Sequence, residues 1–174
     1  MCRLAVPAVV FALLVAACDS PAAVTHVAPA TSVTAKAHPS PPAPVVLGDY
    51  ESSADAPADL ATALAAAAKD GKPVLVDFGA TWCPDCVVLG KLGAKPQVAP
   101  ILAGFHVVSV DVGRFDRNLG VADRLRLNLR TSGIPALVVL DATGKVRTTT
   151  NDGSFSNART MSPGDFAAFL KRWE

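Results

Sequence analysis

Cysteine is scarce in this chain, and its scarcity excludes two common classes of small protein. Cys2, Cys18, Cys83 and Cys86 are too few for a scaffold stapled by several disulfides. A zinc site with four cysteine ligands would need a different arrangement. The first two cysteines lie near the N-terminus, which leaves Cys83 and Cys86, separated by two residues, as the pair that can carry chemistry.

An excess of positive charge is also missing. The 174 residues contain 16 Lys+Arg and 15 Asp+Glu, which gives a formal net charge of +1, and the basic residues do not cluster. Nucleic-acid-binding domains present concentrated positive charge, so nucleic acid is not an expected partner. The length favours one folded domain, and we expect a monomer.

The chain opens with an apolar stretch that is too short to span a membrane comfortably. Leu4–Ala17 contains 14 residues after the positive Arg3, whereas a membrane-spanning helix needs about 20. A positive start, a short apolar stretch and terminal small residues are typical of a cleaved export signal. We therefore predict a signal peptide at residues 1–17.

The end of this signal resembles the bacterial lipobox, in which cleavage precedes a cysteine that receives acyl chains. The resemblance rests on Val15-Ala16-Ala17-Cys18 and predicts lipidation of Cys18. Acylation would remove a free thiol and supply more than one chain, as stable anchoring requires. Asp19 resembles an inner-membrane retention signal. The alternative is ordinary cleavage after Ala17, which leaves a soluble protein with a free Cys18.

Residues 18–49 contain the cysteine predicted to be lipidated and a segment rich in Pro and Ala. Six prolines lie between Asp19 and Asp49 among Ala, Thr, Ser and Val, without an aromatic residue. Such a segment buries too little apolar surface to offset its conformational entropy. We predict a disordered linker that reaches at most roughly 95 Å. His26 and His38, which lie in it, are expected to be solvated.

Residues 50–174 alternate between helical and strand-like patterns. The patterns predict helices at 57–69, 83–93, 97–103 and 118–129, strands at 74–80, 105–112, 136–141 and 145–150, and a last helix from Pro163. Gly144 supplies the turn between the last two strands, and Ser162 is the expected N-terminal cap of the last helix. The order of elements indicates an α/β domain.

The segment Trp82-Cys83-Pro84-Asp85-Cys86 follows a buried strand directly. Two thiols at the start of a helix can close into a disulfide. Free N–H groups and the helix dipole favour the Cys83 thiolate, lowering the thiol pKa from about 8.5 toward 7. Cys86 lies one turn further in, where it is shielded from substrates. The pattern indicates reversible thiol-disulfide exchange, with a static disulfide or half of a metal site as the alternative.

These residues resemble the thioredoxin family across residues 55–174. The resemblance rests on Val76-Asp77-Phe78, the WCPDC box and Gly133-Ile134-Pro135 before the third strand. It implies a thioredoxin-like fold, with a central mixed β-sheet flanked by helices. Cys83 would attack the substrate disulfide from the exposed end of its helix. Cys86 would then resolve the mixed disulfide.

Asp77 is the single charge in an otherwise apolar strand. A buried carboxyl without a partner has a raised pKa, which suits a group that exchanges a proton with Cys86 near neutral pH. The alternative is an aspartate at an exposed strand position. In the family a lysine often neighbours this carboxyl from the next strand, and the matching position here is Val107, which brings no charge.

The resemblance also implies a substrate-binding surface. It implies a cis peptide bond before Pro135, which leaves the Ile134 backbone free to pair with an extended substrate, and substrate contact by Trp82. A trans proline at an edge strand and a Trp82 packed in the core are the alternatives. Trp173 is expected in the core.

Two residues inside the box are expected to tune its redox properties. Asp85 places a negative charge between the thiols, which disfavours the thiolate, and Pro84 withholds one N–H donor. Both features favour a reductase, or a protein that supports isomerisation, over a strong oxidant. The expected function is a membrane-tethered periplasmic thiol-disulfide oxidoreductase that acts on disulfide-bearing exported proteins, without metal or cofactor beyond the Cys83–Cys86 disulfide.

The resemblance further implies that a membrane thiol transporter supplies the electrons. Two other functions stay open: a copper-binding lipoprotein that adds a histidine to the cysteine pair, and a lipoprotein that merely docks or chaperones partners. His106 lies in a predicted strand and is expected to be structural. No function is predicted for residues 151–160.

Overall fold

A computed structural model describes residues 46–52 and 54–174. The predicted signal peptide, Cys18 and nearly all of the predicted linker lie outside the described residues. The elements are α1 (Ala56–Asp70), β1 (Val74–Gly79), α2 (Pro84–Gly93), α3 (Ala99–Leu102), β2 (His106–Asp111), α4 (Leu119–Arg124), α5 (Leu129–Ser132), β3 (Ala136–Leu140), β4 (Val146–Thr149), a 3₁₀ turn (Ala158–Thr160) and α6 (Pro163–Trp173). Among these, no helix has the length and apolar character needed to cross a membrane.

The strands form one mixed sheet in the order β2-β1-β3-β4. β1 runs parallel to β2 and antiparallel to β3, which pairs antiparallel with β4. All six residues of β1 are buried, as the continuous apolar run predicts for a central strand. The predicted mixed sheet flanked by helices is therefore confirmed.

Side chains of β1 alternate between two cores. Val76 and Phe78 pack with residues of α1 and α4, whereas Leu75 packs with residues of α2, α3 and α6. Because successive side chains of a strand point to opposite faces, the two cores lie on the two sides of the sheet. The helices therefore cover both faces, and the strand leading to the cysteine box is held rigidly between them.

The single helix predicted at 118–129 is wrong, because the segment forms two short helices, α4 and α5. Arg126 adopts a left-handed backbone conformation with φ of 60°. An L-residue in this conformation cannot continue a right-handed helix. Leu125, Leu127 and Leu129 are all buried, at a two-residue spacing that a helix would not place on one face.

The last helix begins as predicted. The Ser162 hydroxyl accepts a hydrogen bond from the Asp165 N–H, and the Asp165 carboxylate accepts one from the Ser162 N–H, which forms a capping box. Pro163 occupies the first turn, where its missing N–H costs nothing. Gly144, with φ of 84°, supplies the turn between β3 and β4.

Candidate active site

The cysteine pair lies where β1 passes into α2. Cys83 caps the N-terminus of α2, and its sulfur is bonded to that of Cys86, with the two Cα atoms 5.3 Å apart. The Cys86 N–H points at the Cys83 sulfur at 3.2 Å. Pro84 has no N–H to offer, and the amide that turns toward Cys83 is that of Cys86, at the third position of the helix. After reduction, the same amide and the helix dipole would stabilise a Cys83 thiolate.

The exposed position predicted for Cys83 is wrong for this disulfide form. Cys83 retains only 3% exposure and Cys86 none. The Cys83 sulfur is covered because it is bonded to Cys86 and lies 3.6 Å from the carbonyl oxygen of Ile134. Only a small part of Cys83 is therefore accessible to a substrate, and the exposed surface beside it is formed by neighbouring residues such as Trp82.

The loop before β3 faces the cysteine pair. The Ile134–Pro135 peptide bond is cis, as the resemblance implies. β3 pairs with β1, so the residues just before β3 and just after β1 meet at the same end of the sheet. The Ile134 carbonyl reaches the Cys83 sulfur for this reason.

Trp82 is 46% exposed and does not belong to the core. Its indole N–H donates to the Gly113 carbonyl at 2.7 Å. Its ring meets Phe115 edge-on, with centroids 6.4 Å apart, and the Arg114 guanidinium lies 5.8 Å from the ring centroid. Phe115 and Arg114 follow β2 in a loop without a recognisable motif, so the sequence does not indicate them.

An apolar groove of about 730 Å³ begins beside this aromatic pair. Phe115 and Leu119 are partly exposed along it, and the groove continues to Gly133, next to the cis bond. Arg130 and Asp123 contribute one charge of each sign to its lining. Exposed apolar side chains of this kind mark surfaces that bind other molecules.

Asp77 is fully buried, which excludes the alternative of an exposed strand position. Its Oδ2 accepts hydrogen bonds from the Tyr50 hydroxyl at 2.7 Å and the Gly48 N–H at 3.2 Å. Burial raises the pKa of Asp77 to about 7, and these two hydrogen bonds oppose the rise. Burial raises the pKa of Tyr50 as well, assisted by the adjacent Asp77 charge.

The strand register corrects the neighbour expected for Asp77. Val107 lies opposite Leu75, whereas the residue opposite Asp77 in β2 is Ser109. The expected position is off by two residues because the pairing begins with His106 opposite Val74. Serine carries no charge either, so Tyr50 takes the role of partner. Within the described chain, Asp77 Oδ1 and Ser109 Oγ are buried without a hydrogen-bond partner.

Two glycines make room for the segment 46–50 that brings Tyr50 to Asp77. A Cβ on Gly79 would overlap the Tyr50 ring, and a Cβ on Gly90 would lie 2.9 Å from the Leu47 carbonyl oxygen. A Cβ on Gly48 would lie 3.6 Å from the Cys86 carbonyl oxygen. Gly48, whose N–H binds Asp77, therefore lies beside the backbone of Cys86. The glycines at the end of β1 and inside α2 are the sequence signals that could have indicated this contact.

Asp85 is not the uncompensated charge that the sequence predicts. It is only 6% exposed, and its Oδ1 accepts hydrogen bonds from the Arg159 backbone N–H at 3.0 Å and from Arg159 Nε at 3.1 Å. Arg159 lies in the 3₁₀ turn, within the segment 151–160 for which the sequence suggested no role. The pairing was invisible because 74 residues separate the partners.

His106 lies far from the cysteines along the sheet. It pairs with Val74 at the start of β1, whereas Cys83 follows the other end of that strand. Its Nε2 lies 3.0 Å from an Asp70 carboxylate oxygen, which supports the structural role predicted for it. Throughout residues 46–52 and 54–174, no cluster of three or more potential metal ligands occurs.

The family model described as thioredoxin-like matches residues 55–142. The chain belongs to the thioredoxin-like family. A disulphide isomerase from Xylella fastidiosa Temecula1 is 41% identical with a TM-score of 0.68, over 71% of this chain and 95% of that one. The C-terminal domain of Neisseria meningitidis DsbD in its reduced form shares the fold, at 20% identity and a TM-score of 0.52, over 68% of this chain and 96% of that one.

Curated relatives carry names from thiol chemistry. The chain is 29% identical over 119 residues to Thiol:disulfide interchange protein DsbD 2 of Pseudomonas aeruginosa, covering 68% of this chain and 18% of that protein. It is 34% identical over 93 residues to a Thiol:disulfide interchange protein TxlA homolog of Synechocystis, covering 53% and 48%. The chain thus spans only part of these relatives. The predicted thioredoxin-like thiol-disulfide oxidoreductase is confirmed at the level of the family.

Proposed function

We propose that this protein is a membrane-tethered periplasmic thiol-disulfide oxidoreductase that reduces disulfides in exported proteins. The observation that carries the proposal is the bonded cysteine pair at the N-terminus of α2, which follows the strand that contains the fully buried Asp77. The names of the curated relatives, which concern thiol:disulfide interchange, support it.

The reaction begins with the reduced pair. The Cys83 thiolate attacks one sulfur of the substrate disulfide, which forms a bond between Cys83 Sγ and that sulfur and breaks the substrate S–S bond. The departing substrate sulfur leaves as a thiolate and takes a proton. The Cys86 N–H and the helix dipole favour the attacking thiolate of Cys83.

Cys86 completes the exchange. Its thiolate attacks Cys83 Sγ, which forms the intramolecular disulfide and releases the second substrate thiol. Two electrons have then passed from the dithiol to the substrate. A dithiol electron donor must reduce the pair again, and we propose that a membrane thiol transporter supplies these electrons.

Asp77 accepts the proton that Cys86 must lose. A carboxyl with a pKa of about 7 is substantially ionised near neutral pH and can also return the proton. The Tyr50 hydroxyl and Gly48 N–H fix Oδ2, which leaves the buried Oδ1 available for the transfer.

Substrate binding is assigned to the surface beside Cys83. The exposed indole of Trp82 precedes Cys83, the Ile134 carbonyl before cis Pro135 lies against its sulfur, and the apolar groove ends at Gly133, next to Ile134. An extended segment on either side of a substrate cysteine can pair with the Ile134 backbone and place an apolar side chain in the groove. Exported proteins that carry disulfides are the substrates proposed.

Location and anchoring rest on the N-terminal sequence. Cleavage after residue 17 and acylation of Cys18 would attach the protein to a membrane, with residues 18–49 as a linker to the domain 50–174. The Asp19 resemblance favours the inner membrane. A long linker would let the domain meet both its substrates and a membrane electron donor.

A reducing role predicts a low reduction potential for the Cys83–Cys86 pair. We expect a value near about -270 mV, and a value near about -120 mV would instead indicate an oxidant. The measurement equilibrates the protein with glutathione redox buffers and counts reduced and oxidised chains by mass after alkylation. A potential in the oxidant range would contradict the proposed direction of electron flow.

A further inference from the structure

A hydrogen-bonded residue pair links the segment 151–160 to the cysteine box. Arg159 gives Asp85 two hydrogen bonds, from the backbone N–H at 3.0 Å and from Nε at 3.1 Å. The Asp85 side chain is only 9% exposed, whereas that of Arg159 is 61% exposed. The carboxylate is thus largely removed from water and faces a positive charge that reaches in from the surface.

Contacts other than this pair also hold the segment in place. Phe155 packs edge-on against Phe166 and Phe169 of α6, with ring centroids 5.8 and 4.8 Å apart. Ala158 is fully buried. The backbone N–H of Arg159 also keeps its bond to Asp85 whatever the side chain is. The guanidinium can therefore be removed without detaching the turn from α2.

Because Asp85 lies inside the cysteine box, the ion pair between Asp85 and Arg159 affects the chemistry of the two cysteines. Asp85 lies two residues after Cys83 and directly before Cys86. A largely buried carboxylate in the same helical turn as both cysteines disfavours the negative charge of a thiolate, because charges interact strongly where water is excluded. A guanidinium bonded to that carboxylate offsets the effect.

We propose that Arg159 is a positioning residue that raises the reduction potential of the Cys83–Cys86 pair by holding a positive charge against Asp85. The proposal rests on the proposed function, because it assumes that the pair cycles between dithiol and disulfide. It gives the segment 151–160 a role, as the element that delivers this charge to the box.

The sign of the effect follows from the redox equilibrium. Loss of the guanidinium destabilises the Cys83 thiolate, which exists only in the reduced protein. The disulfide form carries no thiolate charge, so it does not lose this stabilisation. Reduction becomes less favourable, so the potential falls. Loss of the Asp85 carboxylate acts in the opposite direction.

The test measures the glutathione equilibrium of four variants of the full chain. Arg159→Gln should lower the equilibrium constant for reduction about threefold, which is ~14 mV at roughly 30 mV per tenfold change. Arg159→Lys should retain most of the wild-type value, because it keeps the charge. Asp85→Asn should raise the constant. Arg172→Gln, which removes an exposed cation from the last turn of α6, is the matched control and should change nothing.

The double variant Asp85→Asn/Arg159→Gln tests whether Arg159 acts through its bond to Asp85 or through a direct effect of its charge on the cysteines. Without the carboxylate, the exposed arginine is released into water, so its removal should change the constant by less than about 1.5-fold. An unchanged constant in folded Arg159→Gln would overturn the proposal. So would an equal effect of this substitution in both backgrounds. A wild-type protein that never equilibrates with glutathione would instead refute the proposed function.

Discussion

Replacement of Cys83 by serine is expected to abolish disulfide reduction. The hydroxyl is a far weaker nucleophile than a thiolate and cannot form the intermediate disulfide, so turnover should fall by at least about 10³-fold, to background. The helix start that presents the residue should be retained, since serine also caps helices well. Insulin reduction driven by a small dithiol measures the loss.

Cys18→Ser is the matched control for this substitution. It removes a thiol that we assign to lipidation and not to the reaction. The unacylated chain carrying this change should therefore reduce insulin at the wild-type rate. Turnover in Cys83→Ser comparable to wild type would show that Cys83 is not the attacking group.

Replacement of Asp77 by asparagine is expected to change how stability depends on pH. The folded-state pKa of Asp77, about 7, lies above the ordinary value of 3.8, so the folded protein favours the neutral carboxyl. This relative stabilisation is fully present below about pH 4 and is lost as the pH rises through about 7. The unfolding free energy of the wild type should fall by roughly 4 kcal/mol relative to Asp77→Asn between pH 4 and pH 8.

The same substitution should slow the step performed by Cys86. Asparagine cannot accept a proton, so release of substrate from the mixed disulfide should slow by about 10²-fold near neutral pH. Stopped-flow measurements can follow this step, and urea unfolding at several pH values measures stability. A variant with wild-type kinetics would remove Asp77 from the proposed mechanism.

Tyr50→Phe is the companion variant, because it keeps the carboxyl and the ring. The Tyr50 hydrogen bond holds the pKa of Asp77 down, so its loss should move the Asp77 midpoint above about 7. The pH at which the Cys86 step accelerates should move up with it. An unchanged midpoint would mean that Tyr50 does not tune the carboxyl.

Local patterns were sufficient to predict most of the fold. The continuous apolar run of β1 indicated a central strand, and Ser162 with Pro163 marked the start of α6. The same reasoning gave a wrong prediction for residues 118–129, which form two short helices and not one. The leucines of this segment fit a helical stripe, but the left-handed backbone at Arg126 ends the helix, and no glycine or proline signals that break.

The candidate site likewise contains residues that local sequence patterns indicate and residues that only the fold brings together. The cysteine box, Asp77 and the Ile134–Pro135 peptide are local motifs, so the sequence indicated them. Tyr50 and Arg159 reach the site from 27 and 74 residues away, through contacts that no local pattern encodes. The burial of Cys83 could not be predicted for the same reason, because the Ile134 carbonyl that covers its sulfur belongs to a loop distant in the sequence.

The most direct measurement is capture of the mixed disulfide by the Cys86→Ser variant. Without the resolving thiol, Cys83 should stay bonded to a substrate cysteine, and intact mass after reaction with a disulfide-bearing protein should show a covalent adduct that a reducing agent releases. Peptide mapping should place the bond at Cys83. Failure of the reduced Cys86→Ser variant to form any adduct, or an adduct through another cysteine, would contradict the account.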